Sequence, residues 1–148
     1  MINNRLVVIL GALSLTFLST AIAEKKNPVI IFTAAQAQKF GYPQESPFWT
    51  PTRRQISLLE SQLLTYLKLN PPKYGSPVLA PLNYGRQYLG VTKGDRKVIF
   101  LNAFCETGSS DSWREELVMV EDGGSCYFQV YFDPETRKFL ELQYNGMA

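Results

Sequence analysis

An alternating stretch near the end of the chain, residues 125–133, constrains the fold most. Successive side chains of a strand point to opposite faces, so alternation of apolar and polar residues predicts a strand buried on one face. The apolar face carries Cys126, Phe128, Val130 and Phe132. The other face carries Tyr127, Gln129 and Tyr131. Another element of the chain must therefore cover the apolar face.

Four other stretches also have the composition of strands. They are residues 86–92, 97–104, 113–121 (centred on Leu117-Val118-Met119-Val120) and 139–144. The first two flank a turn and predict a hairpin, and the second is apolar on both faces, which is typical of a central strand. Gly123-Gly124 supplies positive-φ positions for the reversal before residue 125. Together these stretches predict a curved antiparallel sheet of four to five strands.

One amphipathic helix is predicted to cover the apolar face of this sheet. Thr50-Pro51 has the pattern of an N-cap followed by proline, and Thr52 with Gln55 has that of a capping box. Apolar residues then recur at spacings of three and four: Ile56, Leu59, Leu63, Tyr66 and Leu67. Asn70-Pro71-Pro72 ends the helix near Lys68, because proline cannot continue the hydrogen-bonding pattern. The predicted fold class is α+β, with one long helix packed on the sheet.

The first residues have the pattern of an export signal. Arg5 gives a positive start, residues 6–17 form an apolar run, and Ala21-Ile22-Ala23 offers the small residues that a signal peptidase accepts. We predict cleavage after Ala23 and a periplasmic or extracellular location, with no membrane span in the mature chain. A retained anchor is the other interpretation, although the run is short for a membrane span.

The predicted organisation is a signal peptide at residues 1–23, an N-terminal arm at 24–47 and a single α+β domain at 48–148. Within the arm, residues 29–32 predict a short strand and residues 34–40 predict about two turns of helix.

Charge and composition exclude several classes of function. Without Arg5 the chain keeps 14 of its 15 basic residues against 13 acidic ones, and a nucleic-acid binder would need a concentrated basic footprint. The sequence contains no histidine, which excludes Ser-His-Asp and Cys-His nucleophile systems and histidine-bearing zinc sites. We predict no metal, no cofactor and no nucleic-acid partner, and enzymatic activity is not favoured.

The chain has two cysteines, Cys105 and Cys126. An even number in an exported chain favours a disulfide. In a simple meander, however, a strand at residues 113–121 would separate them by about 10–15 Å, whereas a disulfide needs Cα atoms within about 7 Å. Either the loop after Cys105 folds back, or the strand order is not sequential, or the thiols are unpaired. We predict the disulfide.

Two groups of residues are candidates for binding. Tyr127, Gln129 and Tyr131 form a polar and aromatic strand face suited to recognition, unless it is simply solvated or covered by the N-terminal arm. Arg53 and Arg54 lie in the first turn of the helix, where the helix dipole disfavours cations, so they either serve an anion site or pair with nearby acids such as Glu45 and Glu60. Residues 71–83 form a surface loop that contains Tyr74 and is followed by Tyr84, and it serves either interaction or packing.

A helix followed by antiparallel strands resembles the cystatin-like, and more loosely the NTF2-like, α+β architecture. The segment Gln87-Tyr88-Leu89-Gly90-Val91 lacks the Gln-x-Val-x-Gly pattern of cystatin inhibitors, so inhibitor activity does not transfer. The phrases Phe48-Trp49-Thr50-Pro51-Thr52 and Asp122 to Val130, with the ending Asn145-Gly146, resemble a family of small exported bacterial proteins of unknown function. That resemblance implies an envelope location and no particular activity.

The sequence thus predicts an exported, non-enzymatic protein that binds an unknown envelope protein or a small ligand. Two alternatives remain: a small carboxylate-based enzyme with an NTF2-like cavity, and an inhibitor of an external enzyme that docks through its loops.

Overall fold

A computed structural model describes residues 28–45, 47–105 and 111–146. Its strands are β1 (Val29–Ile31), β2 (Gly85–Lys93), β3 (Arg96–Phe104), β4 (Tyr127–Asp133) and β5 (Lys138–Tyr144). Its helices are α1 (Ala34–Phe40) and α2 (Arg53–Leu69). The predicted signal peptide and its cleavage site lie outside the described residues. Within the described residues, no helix has the length and hydropathy needed to span a membrane.

The five strands form one open sheet in the order β1-β2-β3-β4-β5. β1 pairs with β2 in parallel, with Val29 opposite Arg86, and the other neighbours are antiparallel. The α+β class is confirmed and β3 is the central strand, but the sheet is mixed rather than antiparallel. The described residues contain two helices, whereas the predicted fold class named one long helix. The short strand predicted at residues 29–32 and the two helical turns predicted at 34–40 are present as β1 and α1. The sequence did not predict that β1 joins the sheet as a parallel edge strand.

Helix α2 covers one face of the sheet, as predicted. Thr52 caps it through a capping box, in which its hydroxyl accepts from the Gln55 backbone and the Gln55 side chain accepts from the Thr52 backbone. The helix buries one stripe of side chains: Ile56, Leu59, Leu63 and Leu67. This stripe packs against the predicted apolar face of β4, which is Phe128, Val130 and Phe132. Each large side chain buried here contributes about 1.5–3 kcal/mol.

A second apolar cluster covers the opposite face of the sheet. It contains Phe32, Ala37, Leu89, Val91, Val98, Phe100 and Tyr131. Phe32 and Ala37 come from the end of β1 and from α1, so the N-terminal segment forms part of this cover. The sheet is therefore buried on both faces, which explains why β3 carries apolar side chains on both sides.

The strand predicted at residues 113–121 is wrong, because this segment packs across the second face without joining the sheet. Its backbone groups bind side-chain amides instead of a neighbouring strand. The side-chain amide of Gln87 donates to the backbone carbonyls of Trp113 (2.6 Å) and Glu116 (2.7 Å). Its side-chain oxygen accepts from the backbone N–H of Val118 (2.9 Å). Asn102 donates to the Val118 carbonyl (2.7 Å). The buried amides of β2 and β3 thus hold the segment as a cover.

The absence of that strand resolves the geometry of the cysteines. β3 and β4 are direct neighbours in the sheet, with Phe104 opposite Tyr127. Cys105 directly follows Phe104, and Cys126 directly precedes Tyr127. Their Cα atoms are 5.0 Å apart, and the two residues form a disulfide. The predicted disulfide is confirmed, and the separation expected from a meander was wrong.

The segment around Trp49 covers the edge of β2 that does not pair with β3. The backbone N–H of Trp49 donates to the Gly90 carbonyl (2.9 Å), and its indole N–H donates to the Val91 carbonyl (2.9 Å). A Cβ atom at position 90 would lie 2.3 Å from the Trp49 carbonyl oxygen. Gly90 is therefore required by the close approach of these two backbones.

Candidate functional site

The structure does not bring the predicted strand face to the surface as an open platform. Tyr131 is 8% exposed, and its hydroxyl donates to the Glu45 carboxylate (2.9 Å). Gln129 is half-buried, and its side-chain amide donates to the side-chain oxygen Oδ1 of Asn102 (3.1 Å). Tyr127 is half-buried beside Gly123. Tyr131 thus joins β4 to the N-terminal segment, whereas Gln129 joins β4 to β3 within the sheet.

A small polar cluster surrounds Tyr131 at the rim of that face. The Lys93 ammonium lies 4.1 Å from the centre of the Tyr131 ring and forms ion pairs with Glu45 (3.4 Å) and Glu141. Burial, together with the hydrogen bond to Glu45, raises the pKa of the Tyr131 phenol well above its usual range. Burial alone would lower the pKa of Lys93, but the two carboxylates outweigh it and the pKa is raised. The cluster is thus a set of mutually satisfied charges.

A long groove lies beside α2, between the helix and the β4–β5 turn with the start of β5. It consists of two openings of about 490 and 500 Å³ that share Arg137. The helix lines it with Arg54, Gln55, Ser57, Leu58, Ser61, Gln62, Thr65, Tyr66 and Leu69. The β4–β5 turn and the start of β5 line it with Pro134, Glu135, Arg137, Lys138 and Phe139. We call this surface the α2 groove.

The periodicity of the helix explains why these residues form one wall. Arg54, Leu58, Ser61, Thr65 and Leu69 follow each other at intervals of three and four, which is one face of an α-helix. From the first to the last of them the helix rises about 22 Å. The groove is therefore long and narrow, with hydroxyl and amide groups along most of one side.

Three cations contribute to the α2 groove: Arg54, Arg137 and Lys138. All three are exposed, and none forms an ion pair with a carboxylate of the described residues. The acids proposed as partners for Arg54 are engaged elsewhere, since Glu60 binds Arg86 and Glu45 binds Lys93. With Glu135 as the one acid among its lining residues, the groove carries an excess of positive charge.

The floor of the groove at the β5 side is aromatic. The rings of Tyr66 and Phe139 are stacked, with centroids 4.4 Å apart and an interplanar angle of 19°. The Tyr66 phenol is protonated at neutral pH like any tyrosine, and burial raises its pKa further, so its hydroxyl is a hydrogen-bond donor. The groove thus joins a cationic rim to an apolar, hydrogen-bonding floor.

Strand β5 borders the groove and, among the described residues, has a strand neighbour on one side only. Its backbone between Lys138 and Leu140 is regular, but Glu141 has a positive φ of 52° at a shift in the β4–β5 register. Such a bulge interrupts an edge strand. The regular part of the free edge is therefore the part next to the groove.

Of the five residues predicted for binding, the α2 groove contains one, Arg54. Arg53 is exposed but does not line the groove, and Tyr127, Gln129 and Tyr131 lie on the opposite face of the sheet. Sequence reasoning missed Arg137 and Lys138. The polar residues that repeat along α2, from Ser57 to Thr65, were the available signal, because they mark a helix face that does not enter the core.

The carboxylates with buried partners have structural roles. Asp133 accepts from the backbones of Glu135 (2.9 Å) and Thr136 (3.1 Å), and Glu60 accepts from Arg86 and Tyr88 (both 2.9 Å). In the described ranges, no three His, Cys, Asp or Glu side chains gather closely enough to hold a metal ion.

No protein-family model, no curated protein and no solved structure matches this chain. The resemblance to small exported bacterial proteins stays a prediction.

Proposed function

We propose that this protein is an exported, non-enzymatic binding protein, and that its α2 groove holds an extended, acidic segment of a partner protein. The observation that carries this proposal is the row of three cations, Arg54, Arg137 and Lys138, that face the groove without a carboxylate partner in the described residues. Export is supported by the pattern of residues 1–23 and is compatible with the Cys105–Cys126 disulfide.

The shape of the groove favours an extended chain over a compact ligand. Its helical wall spans about 22 Å, which is the length of about seven residues of extended polypeptide. The free edge of β5 at Lys138 and Phe139 offers backbone hydrogen bonds of the kind that a bound strand uses. Carboxylates on the bound segment would meet guanidinium groups, whose geometry matches them.

The first test uses a labelled peptide of seven glutamates as the probe, with a peptide of seven lysines for comparison. Fluorescence anisotropy measures binding, and amide chemical shifts of the purified protein locate it. We expect saturable binding of the acidic peptide alone, with shift changes at residues 54–69 and 134–139. Absence of binding, or shift changes centred elsewhere, would contradict the proposal.

Two matched double variants separate the groove from overall charge. Arg54→Glu with Arg137→Glu reverses two charges in the groove, and Lys39→Glu with Lys97→Glu makes the same change in charge on exposed residues outside it. The groove variant should bind the peptide at least about tenfold more weakly, equivalent to about 1.4 kcal/mol. The control variant should bind nearly as the wild type does. Equal losses in both would show that net charge, and not the groove, attracts the peptide.

A further inference from the structure

Exposed apolar side chains concentrate in one short segment, between the end of α2 and the start of β2. Within the described residues, four of the seven large hydrophobic side chains that are exposed lie here: Leu69 (76%), Tyr74 (64%), Leu79 (68%) and Leu82 (41%). We call these four residues the apolar end. Single exposed apolar residues are ordinary, but a concentration of this kind marks an interaction surface.

The apolar end is held in place by buried contacts. Val78 and Pro81 enter the core, which leaves their neighbours Leu79 and Leu82 on the outside. The guanidinium of Arg86, itself buried, donates to the carbonyls of Pro81 (3.1 Å), Leu82 (2.6 Å) and Tyr84 (2.9 Å). The outward direction of these leucines is therefore fixed by the fold.

The charges within the segment of the apolar end are of one sign. The sequence has no Asp or Glu between Glu60 and Asp95. The exposed charges of this stretch up to residue 84 are Lys68 and Lys73, and the Lys73 ammonium lies 5.1 Å from the centre of the Tyr74 ring. A surface that combines exposed leucine and tyrosine with lysine fits a partner that has an apolar layer beneath an anionic surface.

The described chain enters the fold at the same end. Val29 pairs with Arg86, and the Arg86 backbone donates to the Pro28 carbonyl (2.9 Å). Arg86 is the residue that fixes the loop of the apolar end. In the sequence, Pro28 is preceded by Lys25-Lys26, which lie after the predicted cleavage site. Two more basic residues therefore precede the domain at its apolar end.

We propose that the apolar end docks the protein on the surface of an anionic lipid bilayer. Leu69, Leu79 and Tyr74 would enter the interfacial region, while Lys68 and Lys73 would lie among the lipid phosphates. Leu69 also lines the α2 groove, but Tyr74, Leu79 and the two lysines do not, and the proposal does not depend on what the groove binds. Sedimentation with vesicles of phosphatidylcholine containing about one-third phosphatidylglycerol tests it, with pure phosphatidylcholine vesicles for comparison.

We expect binding to the anionic vesicles that falls as salt is raised, because the lysine contribution is screened. Tyr74→Ser with Leu79→Ser should weaken it at least tenfold, and Lys68→Glu with Lys73→Glu should do the same. Tyr42→Ser is the matched apolar control, and Lys39→Glu with Lys97→Glu is the matched charge control; both should keep the binding. Thermal unfolding of each variant shows that it is folded, and the lysine pair tests the proposal even if the Tyr74 and Leu79 pair does not fold.

Absence of binding to the anionic vesicles would overturn the proposal, as would equal weakening by the control variants. If the apolar end instead binds an acidic protein, we expect the first of these outcomes, which is no binding to the anionic vesicles. The groove variant, Arg54→Glu with Arg137→Glu, should still bind vesicles. The Tyr74→Ser, Leu79→Ser variant should still bind the glutamate peptide. Failure of one proposal is thereby distinguishable from failure of the other.

Discussion

Asp133 is an acidic side chain buried at the turn between β4 and β5. Burial alone would raise the pKa of its carboxyl, but hydrogen bonds from the backbones of Thr136 and Glu135, together with Arg96 at 3.7 Å, lower it below the usual value. The charged form of Asp133 thus organises the turn that carries Arg137 and Lys138 into the α2 groove.

A lowered pKa in the folded state makes stability depend on pH. The contribution of Asp133 is fully present above the unfolded pKa of about 3.9 and is lost as the pH falls through the folded pKa. Asp133→Asn should therefore cost about 1–2 kcal/mol at pH 7, and the difference from the wild type should shrink below about pH 4. Urea unfolding at a series of pH values from about 7 to about 2.5 measures the free energy of unfolding of both proteins. The series should reach about one pH unit to either side of the pH at which their difference changes.

The control for this experiment is Glu135→Gln, which removes an exposed carboxylate from the same turn. It should change the free energy of unfolding by no more than about 0.5 kcal/mol. A deficit of the Asp133→Asn variant that is the same at both ends of the pH range would contradict the assigned role of the charge.

At the scale of elements, the segment at residues 113–121 shows how side chains decide between a strand and a cover. Gln87 accepts from one backbone group of this segment and donates to two others. Asn102 extends the network by donating to Gln87 (3.0 Å) and to the Val118 carbonyl. Such buried amide networks stabilise one arrangement because an unmade bond is costly.

Gln87→Met keeps the size of the side chain and removes its hydrogen bonds to the cover. We expect a loss of about 1–3 kcal/mol in stability, because the Val118 backbone N–H loses its acceptor. The Val118 amide should also exchange faster with solvent. Gln143→Met, on an exposed residue of β5, is the control and should leave both quantities nearly unchanged. Unaltered protection of Val118 in Gln87→Met would refute the role given to this amide.

The elements that sequence reasoning predicted well are those that local signals determine. The capping box at Thr52 and the stripe on α2 lie within the helix itself, and strands β2, β3, β4 and β5 were each predicted to within one or two residues. The segment at residues 113–121 was wrongly predicted as a strand because the residues that bind its backbone, Gln87 and Asn102, come from other parts of the chain. The α2 groove was predicted only at Arg54, since the place of Arg137 depends on a turn where it has a positive φ of 57°.

At the scale of the whole molecule, the sheet is the middle layer between α2 and a second cover made by α1 and residues 111–122. The Cys105–Cys126 disulfide joins the end of β3 to the start of β4. Residues 111–122 of the second cover lie between these two strands in the sequence. The bond spans 21 residues of sequence, and the backbone N–H of Cys105 also donates to the Cys126 carbonyl (2.9 Å). We therefore expect the strand pairing to persist without the bond.

Replacing both cysteines by serine should lower the free energy of unfolding by about 3 kcal/mol and leave a folded protein, because the bond chiefly restricts the unfolded chain. Urea unfolding measures the loss and far-UV circular dichroism the retained structure. The wild type in the presence of a thiol reductant is the internal control and should behave like the variant. Unchanged stability, or a variant that cannot fold, would show that the bond acts differently.

The parallel pairing of β1 has a consequence for the order of assembly. Val29 finds its partner, Arg86, only 57 positions later, with all of α2 in between. When the chain is synthesised from its N-terminus, β1 must wait for β2 before it has an edge to join. β1 thus stays without a partner strand while α2 and the loop after it are made.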